Sequence, residues 1–306
     1  MLRYVIRRLI ALVPILVGVS ILVFVMMRLV PGDPARMTLG PEATGEQVAL
    51  LRQQWGLDRP LPVQYAFWLQ RAVHGDFGRS TVSRVPASQE IAARFPATLK
   101  LTAASMAVSV VLGLVFGVVA AVRHNTLFDR TSMVVALLGV CTPSFWLGLM
   151  LMLLFAVKLR WLPSFGQGGI SHLILPALTL GTGSSAIIAR VTRSSMLEVL
   201  GEDYVRTARA KGLGERAVIV RHALKNALIP IITILGLEFG GLLAGAVVTE
   251  TVFSYPGLGL LLINSINNRD FPIVQGALLL FALEFVLVNL LVDVIYARVD
   301  PRITYS

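Results

Sequence analysis

Long apolar runs alternate along this chain with short polar stretches in which most of the charge is basic. A helix that crosses a bilayer needs about 20 predominantly apolar residues. Six segments meet that demand: 9–30, 101–122, 131–157, 173–189, 227–249 and 273–296. The pattern therefore predicts an all-α, polytopic membrane protein with six transmembrane helices. Arg28 falls near the end of the first run, where a long side chain can snorkel to the interface. Pro143 predicts a kink in the third run, and Pro176 stands near the start of the fourth.

The runs divide the chain into a first span (1–30), a polar excursion (31–97), a five-helix core (98–297) and a short tail (298–306). The stretches 1–8, 123–130, 190–226 and 298–306 hold 3, 2, 8 and 2 basic residues, against 2 and 1 in 158–172 and 250–272. Positive residues favour the cytoplasmic side, so both termini are predicted to be cytoplasmic. The excursion then lies outside. It carries turn signals at Pro31-Gly32-Asp33-Pro34, Gly56, Pro60 and Pro62, and an amphipathic stretch, 63–73, with Tyr65, Phe67 and Trp68. It reads equally as a cap on the outer membrane surface and as a docking site for an external partner.

Composition strengthens the membrane reading. The chain is 56% hydrophobic and 14% charged, where soluble domains have roughly 25% charged residues. Its net charge of +10 sits in the inter-span stretches, which argues for membrane topology and against nucleic-acid binding. Cys141 is the only cysteine, so an internal disulfide is excluded. Arg3, Arg7 and Arg8 before an apolar run imitate a signal peptide. The run is long enough to span and no small-x-small site follows, so an uncleaved span is expected.

Catalytic and nucleotide motifs are missing. The sequence has no G-x-x-x-x-G-K-[ST], H-E-x-x-H, G-x-S-x-G or C-x-x-C, which leaves no Walker loop and little support for an enzyme. His74, His124, His172 and His222 are scattered over different loops, so no metal site is expected. Three acids fall within apolar runs: Glu238, Glu284 and Asp293. Charged groups in hydrocarbon are costly and are functional candidates by default. They are candidates for lining a pore or bridging helices, and they carry an alternative function, proton-coupled secondary transport. Gly113/Gly117, Gly236/Gly240 and Gly241/Gly245 are small-xxx-small pairs that permit close helix approach.

The stretch 190–226 is the most informative. Glu202 and Asp203 open a short helix, Arg209 and Lys211 close it, and Gly212 ends it, in keeping with macrodipole and C-cap preferences. Tyr204, Ala208 and Gly212 fall at i, i+4 and i+8, one ring followed by almost no side chain. That face suits insertion into a groove on another protein, with Arg206 and Arg209 placed to pair with the partner's acids. A second helical stretch, 216–226, would return the chain to the fifth span. An ordinary positive-inside loop remains the plain alternative.

Tyr204-Val205-Arg206-Thr207-Ala208-Arg209-Ala210-Lys211-Gly212, followed by His222-Ala223-Leu224-Lys225-Asn226-Ala227, resembles the coupling loop of permease subunits of binding-protein-dependent ABC importers. Arg206 and Thr207 stand where the general pattern has Glu and Ala, and His222 takes a usually apolar position. Those departures are similar to the dipeptide/oligopeptide branch. So are Pro31-Gly32-Asp33-Pro34, Leu57-Asp58-Arg59-Pro60-Leu61, Gly75-Asp76-Phe77-Gly78-Arg79-Ser80, Phe253-Ser254-Tyr255-Pro256-Gly257-Leu258-Gly259, Val292-Asp293-Val294-Ile295-Tyr296 and Asp300-Pro301-Arg302. Within the branch, the chain looks most like the first permease subunit of dipeptide or glutathione importers.

The resemblance implies a type I ABC importer permease fold in the bacterial cytoplasmic membrane. It implies a second homologous permease, two cytoplasmic ATPase subunits that bind ATP and Mg, and a periplasmic or lipid-anchored solute-binding protein. This chain would hold no cofactor itself. Glu202, Asp203, Tyr204, Arg206, Ala208, Arg209, Gly212, His222 and Asn226 would form the ATPase-coupling site. Trp68, Asp76 and Arg79 would be candidates for docking the binding protein.

Overall fold

A computed structural model describes residues 2–29, 32–40 and 42–299. Among them the chain is helical, with one isolated antiparallel bridge, Arg79 to Pro86. The first helices are α1 (Leu2–Leu29), α2 (Pro34–Leu39), α3 (Gly45–Gln54), α4 (Leu61–Val73) and α5 (Ala87–Val122). They are followed by α6 (Leu127–Cys141), α7 (Ser144–Leu151) with a π-helical continuation Met152–Lys158, and α8 (Ile170–Leu200). Next come α9 (Asp203–Ala210), the single turn α10 (Glu215–Ala217) and a π-helical stretch Val218–Leu224. The chain ends with α11 (Lys225–Val252), α12 (Leu258–Asn267) and α13 (Phe271–Val299). Among the described residues five helices are long and apolar enough to cross a membrane, or six if one bent pair counts as a single span.

That bent pair corrects the third predicted span. Residues 131–157 form no single kinked helix: α6 and α7 meet at 105°. Pro143 lacks an N–H and crowds the residue before it out of the helical region. Thr142 is accordingly extended (φ −80°, ψ 122°), and Pro143 caps a new helix. Pro14, Pro96, Pro176 and Pro230, by contrast, stay inside their helices. Neighbouring groups in a bundle can re-satisfy the backbone that such prolines free.

The chain divides into two compact units, the cuts falling within α5 after Ala97 and within α13 after Val286. Unit 1 comprises Met1–Ala97 and Pro256–Val286. Its core gathers Ala87 and Ile91 of α5, Leu258 and Leu262 of α12, and Ile273, Val274 and Ala277 of α13. Phe24 of α1 packs edge-on to Tyr65 of α4 at 5.5 Å between ring centroids, and Ser20 and the Tyr65 hydroxyl are hydrogen bonded at 2.7 Å. The polar segment is organised by local capping. Thr44 and Gln47 form a reciprocal capping box at the start of α3, which satisfies two otherwise orphaned N–H groups.

Unit 2 comprises Thr98–Tyr255 and Leu287–Ser306. Helix α8 is its hub, packing against α6, α7 and α11. Glycine makes the close crossings possible. A Cβ on Gly113 would come 2.5 Å from Ile188, one on Gly117 2.6 Å from the Ala189 carbonyl, and one on Gly181 2.6 Å from the Ser105 carbonyl. Thus α5 and α8 approach closely at these glycines, with the Ile188 side chain seated against Gly113 and backbone carbonyls against Gly117 and Gly181. Gly236 is pressed against Val292 and Gly245 against Leu180, whereas Gly241 faces open space.

Polar groups along α5 are satisfied without water. Thr102 donates to the Thr98 carbonyl, Ser105 to the Leu101 carbonyl, and Ser109 to the Ser105 and Gly181 carbonyls, at 2.8–3.0 Å. All four hydroxyl side chains from Thr98 to Ser109 are fully buried. Bonding back to a carbonyl one turn earlier lets a hydroxyl enter an apolar interior at low cost.

Candidate coupling helix and buried acids

The stretch between α8 and α10 is much shorter than the sequence suggests. Hydropathy measures only the lipid-crossing part of a helix, so 190–226 reads as one loop. In the structure α8 continues through Arg190, Arg193 and Glu198 to Leu200, and the helix resumes at Glu215. Only residues 201–214 lie between, and α9 occupies their centre.

Local chemistry fixes α9. Glu202 is its N-cap residue and Asp203 opens its first turn, where negative charge meets the positive end of the macrodipole. At the other end Gly212 adopts φ +77°. Gly212 N–H donates to the Arg209 carbonyl (2.9 Å) and Leu213 N–H to the Ala208 carbonyl (3.4 Å), the bonding pattern of a Schellman cap. The sequence reading of Gly212 as the stop is thus a statement about backbone conformation. A Cβ there would meet nothing within 4 Å.

The predicted insertion face needs correction. Ala208 is 5% exposed and packs with Val205 and Val218 in a small apolar cluster, flanked by Val199 and Leu200. It faces its own chain. Tyr204 is 39% exposed, and its hydroxyl accepts a 2.8 Å hydrogen bond from the Asn226 amide. Asn226 also donates to the His222 carbonyl at 3.1 Å, on the π-helical stretch. The spacing i, i+4, i+8 identified one side of the helix; the apolar pair at i, i+3 decided which side turns inward.

What remains outward is mostly polar: Glu202, Asp203, Arg206, Thr207 and Arg209 are exposed, beside Tyr204 and Ala210. Arg206 pairs with Asp203 at 3.3 Å, and Arg209 makes a two-point contact with Glu215 at 2.7 and 3.2 Å. The Glu215 carboxylate holds the Arg209 guanidinium above its ordinary pKa, chiefly through that hydrogen bond. Both arginines therefore rest on acids of this chain at exposed positions, where such pairs are worth little and exchange readily.

The docking candidates separate in the same way. Trp68 is half-buried, stacks near Phe24 and Tyr65, and donates its indole N–H to Gln275 at 2.8 Å. Its indole N–H is thus engaged within unit 1, while the ring stays half-exposed. Asp76 and Arg79 are exposed. Asp76 accepts from Arg71 (2.9 Å) and from Gly78 N–H (3.0 Å), and Arg79 donates to the Arg84 carbonyl (3.0 Å). The Arg71 hydrogen bond holds the Asp76 carboxyl below its ordinary pKa, against the opposing desolvation.

Among the intramembrane acids, Glu284 is 6% exposed within unit 1 and Glu238 is half-buried on α11. Asp293 lies on α13, with its side chain outside the described residues. Pro31 and Asp300-Pro301-Arg302 fall outside them too.

Three buried carboxylates escaped the sequence reading because each borders an apolar run and finds its partner far along the chain. Glu250, at 0% exposure, accepts a 2.6 Å hydrogen bond from Thr98. Asp129, at 2%, takes a two-point contact from Arg193 at 2.6 and 2.8 Å and also caps Asn125 N–H. Asp270, at 2%, accepts from the Ser80 hydroxyl and, at 3.2 Å, from Thr81 N–H. Sequence separations of 152, 64 and 190 leave no local signal for any of these pairs. No group of three or more metal-ligating side chains comes together among the described residues.

Comparison with known proteins agrees with this architecture. Residues 113–305 match the family of binding-protein-dependent transport system inner membrane components, and residues 1–102 match the N-terminal family of such membrane components. The glutathione transport system permease protein GsiC of Escherichia coli (strain K12) is 51% identical over 306 residues, covering all of both chains. GsiC of Salmonella typhimurium (strain LT2) matches equally. The fold is shared with the MetNI methionine ABC transporter in inward-facing form, with a TM-score of 0.59 and 20% identity over 69% of this chain and 96% of that one. An amino acid ABC transporter solved with histidines gives a TM-score of 0.53 at 17% identity, over 69% and 94%. The alternative of a proton-coupled transporter built on Glu238, Glu284 and Asp293 has no support in these likenesses. The chain belongs to the family of binding-protein-dependent transport system inner membrane components: it is a multi-pass permease subunit of an ABC importer, not an enzyme.

Proposed function

We propose that this chain forms half of the translocation path of an importer for glutathione or short peptides, and that α9 receives the stroke of an ATPase partner. The substrate class rests on end-to-end 51% identity with named glutathione permeases. The coupling role rests on one feature of α9. A helix anchored inward by Val205 and Ala208 presents outward mostly polar, exchangeable side chains, with the Tyr204 ring and Ala210 among them.

In this reading residues 201–214 and both termini are cytoplasmic, as the distribution of arginine and lysine favours. A second permease completes the path, two ATPases bind ATP and Mg, and a periplasmic or lipid-anchored solute-binding protein delivers the substrate to the far side. Asp76 and Arg79 are the exposed candidates for that contact. Helix α9 is joined to α8 through Gly201 and to α11 through residues 212–224, so a displacement of α9 reaches two long helices directly. Switching a two-state pore from 1:99 to 99:1 takes roughly 5.5 kcal/mol of differential binding. The sequence holds no nucleotide motif to supply it, so the partner does.

Gly212→Leu tests the coupling. A side chain at positive φ costs about 1–2 kcal/mol and loosens the cap that ends α9. The complex reconstituted with its ATPases should assemble but lose most substrate-stimulated ATP hydrolysis and uptake. Undiminished uptake would end the proposal. Labelled glutathione uptake, competed by unlabelled dipeptides, tests the substrate class separately.

A further inference from the structure

Unit 1 contains a cavity of about 120 Å³ where α1, α4 and the segment after α3 converge. It is smaller than the roughly 300–1,000 Å³ of sites for drug-sized ligands, and too small for a peptide substrate. Its lining combines Arg28 and Arg71 with Trp55, Phe67, Trp68 and Gln275. We infer that this cavity holds the phosphodiester headgroup of an anionic phospholipid.

Charge comes first. Arg28, Arg71 and Asp76 are the charged groups lining the cavity, and the Arg71–Asp76 pair at 2.9 Å nearly cancels itself. Arg28 supplies the net positive charge. Its guanidinium lies 4.7 Å from the centroid of the Phe24 ring, and its Nε is buried with no hydrogen-bond partner among the described residues. A buried donor left unmatched is costly, and guanidinium N–H groups fit phosphate oxygens in two-point fashion. Further side-chain donors on the wall are the indole of Trp55 and the amides of Gln54 and Gln275, the oxygen of Gln275 being already taken by Trp68.

Position decides the source of the anion. Arg28 lies in the last turn of the apolar helix α1, flanked by Met26 at 48% and Leu29 at 76% exposure. Those side chains belong in acyl chains, so the bilayer boundary falls at the cavity. Tryptophan and tyrosine side chains such as Trp55, Trp68 and Tyr65 are enriched at that depth. A lipid phosphate is already there; a free anion would have to reach it from water.

The complex, delipidated in detergent, should be titrated with phosphatidylglycerol or phosphatidylcholine and bound lipid counted by native mass spectrometry. Phosphatidylglycerol should bind about tenfold more weakly to Arg28→Gln, with phosphatidylcholine weak in both. Arg52→Gln, the same charge change at the exposed pair with Asp33, should leave binding unchanged. If Arg28→Gln fails to assemble, Arg28→Lys decides: about threefold weaker binding supports the site, and unchanged binding overturns it. Equal binding to wild type and Arg28→Gln also overturns it. So does displacement of the lipid by equimolar inorganic phosphate, which would make the anion a solution one.

Discussion

Two polar stretches, residues 201–214 and residues 74–86, join apolar helices in this protein and are fastened by opposite means. The first is held by exposed polar contacts over a small buried apolar patch. Its bonds are the exposed Arg209–Glu215 pair, the Tyr204–Asn226 hydrogen bond and a three-residue apolar patch. The second is held from inside by Asp270, a buried carboxylate that gathers the Ser80 hydroxyl and Thr81 N–H. Exposed pairs in water contribute little, whereas hydrogen bonds to a buried carboxylate contribute about 1.5–3 kcal/mol each. A segment fastened the first way can be repositioned by a partner at little cost. One fastened the second way keeps its shape.

The largest test of that contrast removes the internal anchor. Asp270→Ala should free residues 79–86 at a cost of about 3 kcal/mol, seen as faster tryptic cleavage at Arg79 and Arg84. Cleavage at the wild-type rate would mean that the anchor is dispensable. Next in size is Ala208→Leu, which overfills the patch beneath α9 and should cost about 1–3 kcal/mol. Hydrogen exchange in residues 203–213 should quicken while residues 79–86 stay protected. If Ala208 faced a partner and not its own chain, exchange in the isolated subunit would be unchanged.

The smallest effect concerns Asp76. Its carboxyl titrates below the ordinary range in the folded chain. The Arg71 contact is therefore fully stabilising above the unfolded value of about 3.9 and is lost as pH falls through the lower folded value. Because Asp76 is exposed, the contribution is at most a few tenths of a kcal/mol. Asp76→Asn should flatten the small decline in thermal midpoint below pH 4 and lower the midpoint slightly at pH 7, where the contact is fully formed.

Much of the molecule was legible in the order of its residues. Apolar run length predicted six spans, of which five are long apolar helices and the third is the bent α6–α7 pair, because a bilayer imposes length on any helix that crosses it. Helix α9 was also legible, since caps and macrodipole are local devices: acids at one end, Arg209 and Gly212 at the other. The misreadings share a cause. Pro143 was expected to kink a helix, and the 105° break at Thr142 depended on whether neighbours would support a continuous one. Ala208 was expected to face a partner, and Val218, ten residues on, packs against it within this chain.

Sequence alone therefore settled the membrane class, the family resemblance and the helical character of α9, all of which follow from runs, spacing and local capping. Tertiary structure alone decided which side of α9 turns inward and which acids are buried. It also decided which of the glycine pairs carry helix crossings. Periodicity defines a face without saying what lies opposite. The partners that fix it (Thr98 for Glu250, Arg193 for Asp129, Ser80 for Asp270) stand 64 to 190 residues away, and only folding brings them within hydrogen-bonding reach.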